Sequence, residues 1–363
     1  MKITLIAGAR PNFMKIAPII HAIKRAQADG KNIQYRLVHT GQHYDKALSD
    51  TFFTELNIPD PDANLEVGSG SQAVQTGNIM MKFEDELLRN PADVVLVVGD
   101  INSTMACSIV AKKLNTQLVH VEAGIRSFDL SMPEEINRMV TDAIADHFFT
   151  TTEYANDNLR RAGIEESRIH FVGNTMIDTL NIQRNNFRKP PLWDEYKLTK
   201  QGYFALTLHR PSNVDDIDTL EDILGHIGRS ARGLPIIFPA HPRTVNNLSK
   251  IKSRPDNLHT VAPLGYLEFM YLVENAKAVV TDSGGIQEET TVLGVPCITL
   301  RKNSERPETV HVGTNELVLD IAQLGTYIGK VLGNSWKKGR IPELWDGKTS
   351  DRIIEKLYKL YDR

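Results

Sequence analysis

The sequence predicts an α/β chain of two doubly wound, Rossmann-like domains, with the ligand site in the cleft between them. Three observations predict it. The chain has 363 residues, more than one core of roughly 100–200 residues absorbs. Short β-branched runs alternate with amphipathic stretches in each half. A polar, proline-bearing pause separates the halves, so the expected division is a domain at 1–182, a linker region at 183–202, a second domain at 203–348 and a C-terminal helix at 349–363 that packs back on the first domain.

In the first half, strands are expected at residues 3–7, 35–39, 94–98, 118–121, 147–150 and 169–172, and helices at stretches such as 14–26, 74–88 and 104–114. The run Val94-Val95-Leu96-Val97-Val98 is apolar throughout, the pattern of a strand covered on both faces. The pause contains Lys189-Pro190-Pro191-Leu192-Trp193. The second series has strands at 203–208, 236–239, 258–261, 278–281 and 296–300, and the chain closes on a helical run at 351–361.

Composition narrows the function. Hydrophobic residues make up 41% of the chain, charged residues 24%, and the net charge is −3, so no nucleic-acid surface is expected. Cys107 and Cys297 lie far apart, without metal-ligand or disulfide spacing. No apolar run approaches the ~20 residues of a membrane span, and the first run is too short for a signal peptide. A cytoplasmic enzyme without metal or membrane partner is the expectation.

Ligands of open α/β sheets bind beyond the carboxyl ends of the strands. There the first half places Gly8-Ala9-Arg10-Pro11, Gly41-Gln42-His43, Gly99-Asp100 and Glu122-Ala123-Gly124. The second half places His209-Arg210, His241-Pro242-Arg243 and Asp282-Ser283-Gly284-Gly285. Asp100 could cap a helix, but Arg, His and Glu are poor N-caps, so the set points to one active cleft. Ser283-Gly284-Gly285 opens a helix whose amides suit a phosphate, and Glu288 or Glu289 could accept from a ribose diol. The loop from Arg301 to Glu308 is basic, and a guanidinium at that strand end suits a diphosphate. No Gly-x-x-x-x-Gly-Lys-Ser/Thr loop is present and no convincing Gly-x-Gly-x-x-Gly follows the first strand, which excludes kinase and nicotinamide readings.

In this order, Gly8-Ala9-Arg10-Pro11, Gly41-Gln42-His43, His120-Val121-Glu122-Ala123-Gly124, Pro133-Glu134-Glu135-Ile136-Asn137-Arg138, Asp282-Ser283-Gly284-Gly285 and Glu305-Arg306-Pro307-Glu308 resemble the non-hydrolysing UDP-N-acetylglucosamine 2-epimerases. The resemblance implies a GT-B-like architecture, a homodimer, no cofactor, and reversible conversion of UDP-GlcNAc to UDP-ManNAc for cell-surface polysaccharide. It implies a catalytic set of Arg10, Lys15, Asp100, Glu122, Glu134, Arg138 and His209. Its UDP-binding set is Ser283, Gly284, Gly285, Glu289 and Arg306, with Phe269 on the uracil side; Gln42, His43 and His241 join the substrate contacts. A relative acting on 2,3-diacetamido sugars also begins Gly-Ala-Arg-Pro, and a hydrolysing epimerase shares most motifs, so both remain alternatives.

The chain departs from the family in two places. His209-Arg210-Pro211-Ser212-Asn213 stands where His-Arg-Arg-Glu-Asn is usual, and Tyr44-Asp45 follows His43 in place of Arg followed by Glu or Gln. In bacterial members these segments help hold a second, activating UDP-GlcNAc. The expectation is a weakened activator site.

Overall fold

The computed structural model describes residues 1–41, 55–240 and 242–361; the side chains of Arg10, Pro242 and Arg243 lie outside the described set, as do Gln42, His43, Tyr44, Asp45 and His241. Two compact units make up the chain, one of Met1–Ile182 with Glu343–Arg363, the other of Gln183–Pro342.

The first unit runs β1 (Lys2–Ala7), α1 (Arg10–Ala28), β2 (Gln34–His39), β3 (Ala63–Asn64), α2 (Gln72–Arg89), β4 (Val94–Val98), α3 (Asn102–Lys113), β5 (Gln117–Val121), α4 (Pro133–Ile144), β6 (His147–Thr150), α5 (Glu153–Arg161), β7 (Ile169–Phe171) and α6 (Thr175–Gln183). Its seven strands pair in parallel in the order β3-β2-β1-β4-β5-β6-β7. The order reverses between β1 and β4, and such a switch opens a crevice at the carboxyl ends of the two strands. Every residue of β4 is buried, as its apolar run requires.

The second unit runs α7 (Leu192–Glu195), β8 (Phe204–Thr207), α8 (Pro211–Val214), α9 (Ile217–Ser230), β9 (Ile236–Pro239), α10 (Pro242–Leu248), β10 (Leu258–Val261), α11 (Tyr266–Asn275), β11 (Ala278–Thr281), α12 (Gly284–Leu293), β12 (Cys297–Thr299), α13 (Pro307–His311), β13 (Asn315–Leu317) and α14 (Leu324–Leu332). Its sheet has the order β10-β9-β8-β11-β12-β13, again all parallel, with its switch between β8 and β11. The predicted α/β class with two parallel sheets is the observed one.

Residues 183–202, read above as a linker region, pack into the second unit. Leu192 and Leu198 are buried, and Trp193 lies edge-on to Tyr203 and Tyr271 at centroid distances of 5.6 and 5.2 Å. Residues 343–348, read with the second domain, lie with the first unit, where buried Trp345 donates Nε1–H to the Thr151 carbonyl at 3.0 Å. Gly173 must be glycine there: its φ is +101°, and a Cβ would meet the Leu344 carbonyl oxygen at 2.1 Å.

The last helix, α15 (Thr349–Tyr361), packs on α1. Its N-terminus is capped from α6, since the buried Asp178 carboxylate accepts Thr349 N–H at 3.1 Å and Ser350 N–H and Oγ–H at 2.6 Å each. Two unsatisfied amides of a helix start are thereby satisfied.

Candidate active site

In the first unit, Asn12 ties the two strands of the switch together. Its Oδ1 accepts Gly8 and Ala9 N–H at 3.3 and 3.2 Å, and its Nδ2 donates to the Val98 carbonyl at 3.0 Å. Lys15, half-buried on α1, is ion-paired with buried Glu122 just past β5. Between them lies Gly99, φ +73°, where a Cβ would stand 3.2 Å from Lys15 Nζ and 3.3 Å from Glu122 Oε2. Glu122 itself has φ +72°, a left-handed conformation that non-glycine residues adopt at a cost and that clusters at functional sites.

That backbone is held by a buried network. Glu122 N–H donates to Phe149 O at 2.9 Å. His120 turns Nδ1 to Asp142 Oδ1 at 2.7 Å and Nε2 to the Gly99 carbonyl at 2.8 Å. Asp142 Oδ2 accepts Gly124 N–H at 3.1 Å and pairs with Arg126 at 2.6 Å. Burial raises the Asp142 pKa, but His120 and Arg126 outweigh it and hold the carboxyl below its ordinary value.

Beside this pair stands a second. Arg138 on α4 binds Asp100 Oδ2 at 2.5 Å and Glu135 Oε2 at 3.0 Å. Glu135 also accepts Ser127 N–H and Oγ–H at 2.8 and 2.9 Å and Phe128 N–H at 3.1 Å. Of the two acids after Pro133, Glu135 is the buried one and Glu134 is exposed on the first turn of α4. Asp100, Arg138, Lys15 and Glu122 are thus brought together in two ion pairs at the ends of β4 and β5.

In the second unit, Ser283 is the N-cap residue of α12. A Cβ on Gly284 would face Arg301 Nη1 at 3.9 Å, so this helix start is open to a close anion with a guanidinium near it. Buried Arg301 is held by Glu305 at 3.0 Å, and its pKa is lowered by burial first and then by the Arg210 and Arg306 charges, against Glu305. Arg306 Nε lies 2.5 Å from Glu288 Oε1. Glu289 accepts the Tyr266 hydroxyl at 3.0 Å, and burial pushes its pKa up to about 8. Phe269 is half-buried on α11.

Across the switch, the fully buried Asp282 gathers the loop after β8. Its carboxylate accepts His209 N–H at 3.1 Å, Arg210 N–H at 2.9 Å and Asn213 Nδ2–H at 3.0 Å, and lies 2.8 Å from His209 Nδ1. Burial raises its pKa; the contacts from His209, Arg210 and Asn213 prevail and lower it. The sequence places Asp282 at a strand end without giving it a role of its own, and Glu135 is not among the candidate site residues. The i,i+3 spacing of Glu135 and Arg138 was a signal for the latter; nothing local pairs residue 282 with 209.

Comparison with known proteins identifies what these sites belong to. A family model described as UDP-N-acetylglucosamine 2-epimerase matches residues 25–358. The chain is 42% identical to the UDP-N-acetylglucosamine 2-epimerase of Methanocaldococcus jannaschii, over 98% of this chain and 99% of that one. It is 37% identical to the UDP-2,3-diacetamido-2,3-dideoxy-D-glucuronate 2-epimerase of Pseudomonas aeruginosa, over 99% and 100% of the two chains. The fold is similar to the M. jannaschii crystal structure in complex with UDP-GlcNAc and UDP, with TM-score 0.86 and 42% identity over 99% and 100% of the chains. It is also similar to the Neisseria meningitidis enzyme bound to UDP-GlcNAc, with TM-score 0.88 and 28% identity over 99% and 100%. With two parallel sheets of GT-B-like type, ion-paired carboxylates at the strand ends of the first and an open helix start ringed by arginines in the second, the chain belongs to the UDP-N-acetylglucosamine 2-epimerase family.

Proposed function

We propose that this chain is a non-hydrolysing epimerase that interconverts UDP-GlcNAc and UDP-ManNAc by eliminating UDP to a 2-acetamidoglucal and adding it back. The carrying observation is the pair of ion-paired carboxylates, Glu122 with Lys15 and Asp100 with Arg138, at neighbouring strand ends. C2 of the sugar has no adjacent carbonyl, so its proton is not acidic and simple deprotonation is too slow. Elimination avoids that barrier: the C2–H electrons form the C1–C2 double bond as the C1–O bond breaks toward UDP. Protonation of C2 from the other face, with return of UDP to C1, gives the epimer.

Such a reaction takes an acid and a base on two faces and cations for the departing diphosphate. The first unit supplies the acid–base groups: Asp100, Glu122 and Glu134 as carboxylates, with Lys15, Arg138 and Arg10 as cations. The second unit binds the nucleotide. Ser283, Gly284 and Gly285 take the diphosphate with Arg306 and His209, Glu289 takes the ribose, and Phe269 borders the uracil. Gln42, His43 and His241 complete the substrate contacts.

A second reading, a 2-epimerase of a 2,3-diacetamido UDP-sugar, is favoured by the Pseudomonas relative. Incubation with UDP-GlcNAc in deuterated water, followed by proton NMR, tests both. Deuterium at C2 of both UDP-sugars is expected. Epimerised product without label sinks the elimination, release of free ManNAc identifies a hydrolase, and inertness toward UDP-GlcNAc with turnover of the diacetamido sugar selects the second reading.

The assembly we propose is a cytoplasmic homodimer serving polysaccharide synthesis. Support for the dimer comes from α2, which exposes Val74, Met81 and Leu88 at seven-residue spacing, and from exposed Ile136 and Met139 on α4; exposed apolar stripes of this kind mark association surfaces. No helix among the described residues is long and apolar enough to cross a membrane. Light scattering of wild type and Met81→Lys checks the dimer: the variant is expected to run as a monomer, and a monomeric wild type removes the proposal.

A further inference from the structure

We propose that Asp282 is a positioning residue that fixes the proton of His209 on Nδ1 and so reserves Nε2 for the leaving diphosphate. The inference rests on the epimerase reading, since it assigns His209 to the departing UDP.

The geometry is specific. Asp282 is fully buried, whereas the His209 side chain is 58% exposed. Among the described residues, the ring is tied down at its Nδ1 edge, 2.8 Å from Asp282 Oδ1. An ionised carboxylate accepts and cannot donate, so the ring nitrogen facing it carries a hydrogen. Asp282 Oδ2 is meanwhile engaged by Arg210 N–H and Asn213 Nδ2–H. The carboxylate therefore cannot turn away from the ring without breaking these bonds.

The alternative tautomer would set the Nδ1 lone pair against a negative charge. Nε2, on the exposed edge, is left as the nitrogen that can exchange a proton. As the C1–O bond breaks, its electron pair passes to the β-phosphate oxygen. Once Nε2 has taken up a proton through that edge, the ring is an imidazolium with Nδ1–H still on Asp282, its Nε2–H donates to that oxygen, and re-addition returns the proton. A histidine oriented by a buried carboxylate is a recurrent solution for directing proton traffic through one ring nitrogen.

Two measurements test the proposal together. In protein labelled with ¹⁵N-histidine, the His209 ring resonances of the resting enzyme are expected to report a protonated Nδ1, and Asp282→Asn to shift the hydrogen to Nε2. In turnover, Asp282→Asn is expected to lower kcat roughly 10²–10⁴-fold. The same change placed on His209→Asn, which keeps a donor near the Nδ1 position, is expected to cost no more than about threefold, because two residues acting as one unit are non-additive. If Asp282→Asn is equally damaging on both backgrounds, Asp282 only braces the loop and the proposal falls. An active wild type whose Nδ1 carries no hydrogen also overturns it. A wild type that does not epimerise UDP-sugars, whatever its tautomer, removes the epimerase reading and the proton role with it.

Discussion

Glu122 sits buried in left-handed backbone against Lys15 and Gly99. Glu122→Gln keeps the shape and loses the basicity. It is expected to lower kcat roughly 10²–10⁴-fold with little change in UDP-sugar affinity; steady-state kinetics beside calorimetry checks this, and near-wild-type turnover returns Glu122 to a structural role. Arg306 is different, because its partner Glu288 is buried. Arg306→Ala is expected to weaken UDP by about 2–3 kcal/mol and also to lower Tm, since an uncompensated buried carboxylate is left behind. Adding Glu288→Gln should recover the Tm and not the affinity. Recovery of both would show that Arg306 only neutralises Glu288. At this scale the sequence was legible where a residue directly follows an apolar run, as with Glu122 after the strand ending at Val121. It was silent where partners meet only in the fold, as with Asp142 beneath His120 or Asp282 beneath His209.

Among elements, α8 begins with Pro211, whose fixed φ suits a first helical position, with Arg210 as N-cap. The family's second arginine is thereby replaced by a ring without charge. Loss of one charge-assisted contact costs roughly 1.5–3 kcal/mol, enough to weaken an activating UDP-GlcNAc tenfold or more. UDP-ManNAc alone is expected to be turned over without traces of UDP-GlcNAc, and the rate is expected to rise hyperbolically with UDP-GlcNAc. A sigmoidal curve or a lag would restore the activator. At the far side of the same sheet as Glu122, β6 and β7 stack His147 on His170, with 3.2 Å between ring nitrogens. Burial, then Lys356 and His147, press the His170 pKa down to about 4. The folded state thus favours the neutral ring. Stability is full above the unfolded value of about 6.5 and is lost as pH falls from there toward about 4. Urea midpoints across that window are expected to fall less steeply in His170→Phe than in wild type; equal slopes would locate the proton uptake elsewhere. Long apolar strands such as β4 were readable from pattern alone. The edge strands β3 and β13 were not, because one has two residues and the other opens with buried Asn315, which is satisfied by Thr299, Gln287 and Thr309.

For the whole molecule, the charge proposed to hold a diphosphate is that of side chains, with Arg301 and Arg306 gathered near α12. Among the described residues no cluster of His, Cys, Asp and Glu is arranged to hold a metal. Turnover is therefore expected to survive excess EDTA; loss that magnesium restores would refute this. The doubly wound plan followed from alternating runs, but the path of the chain between units did not. Composition marks residues 183–202 as polar, yet Leu192, Trp193 and Leu198 anchor them by packing, and hydropathy cannot foresee which core a short apolar cluster joins.

The return of α15 to the first unit has a consequence for synthesis on the ribosome. Domains generally fold in order as they emerge, yet α1 waits for Ile353, Ile354 and Leu357, which are buried and are translated after the entire second unit. A nascent chain stalled before residue 343 should carry an uncovered apolar stripe on α1 and an Asp178 carboxylate without the donors of Thr349 and Ser350. It should therefore be a chaperone client and more open to protease than the same chain extended through Tyr361. The first unit is translated first and completed last.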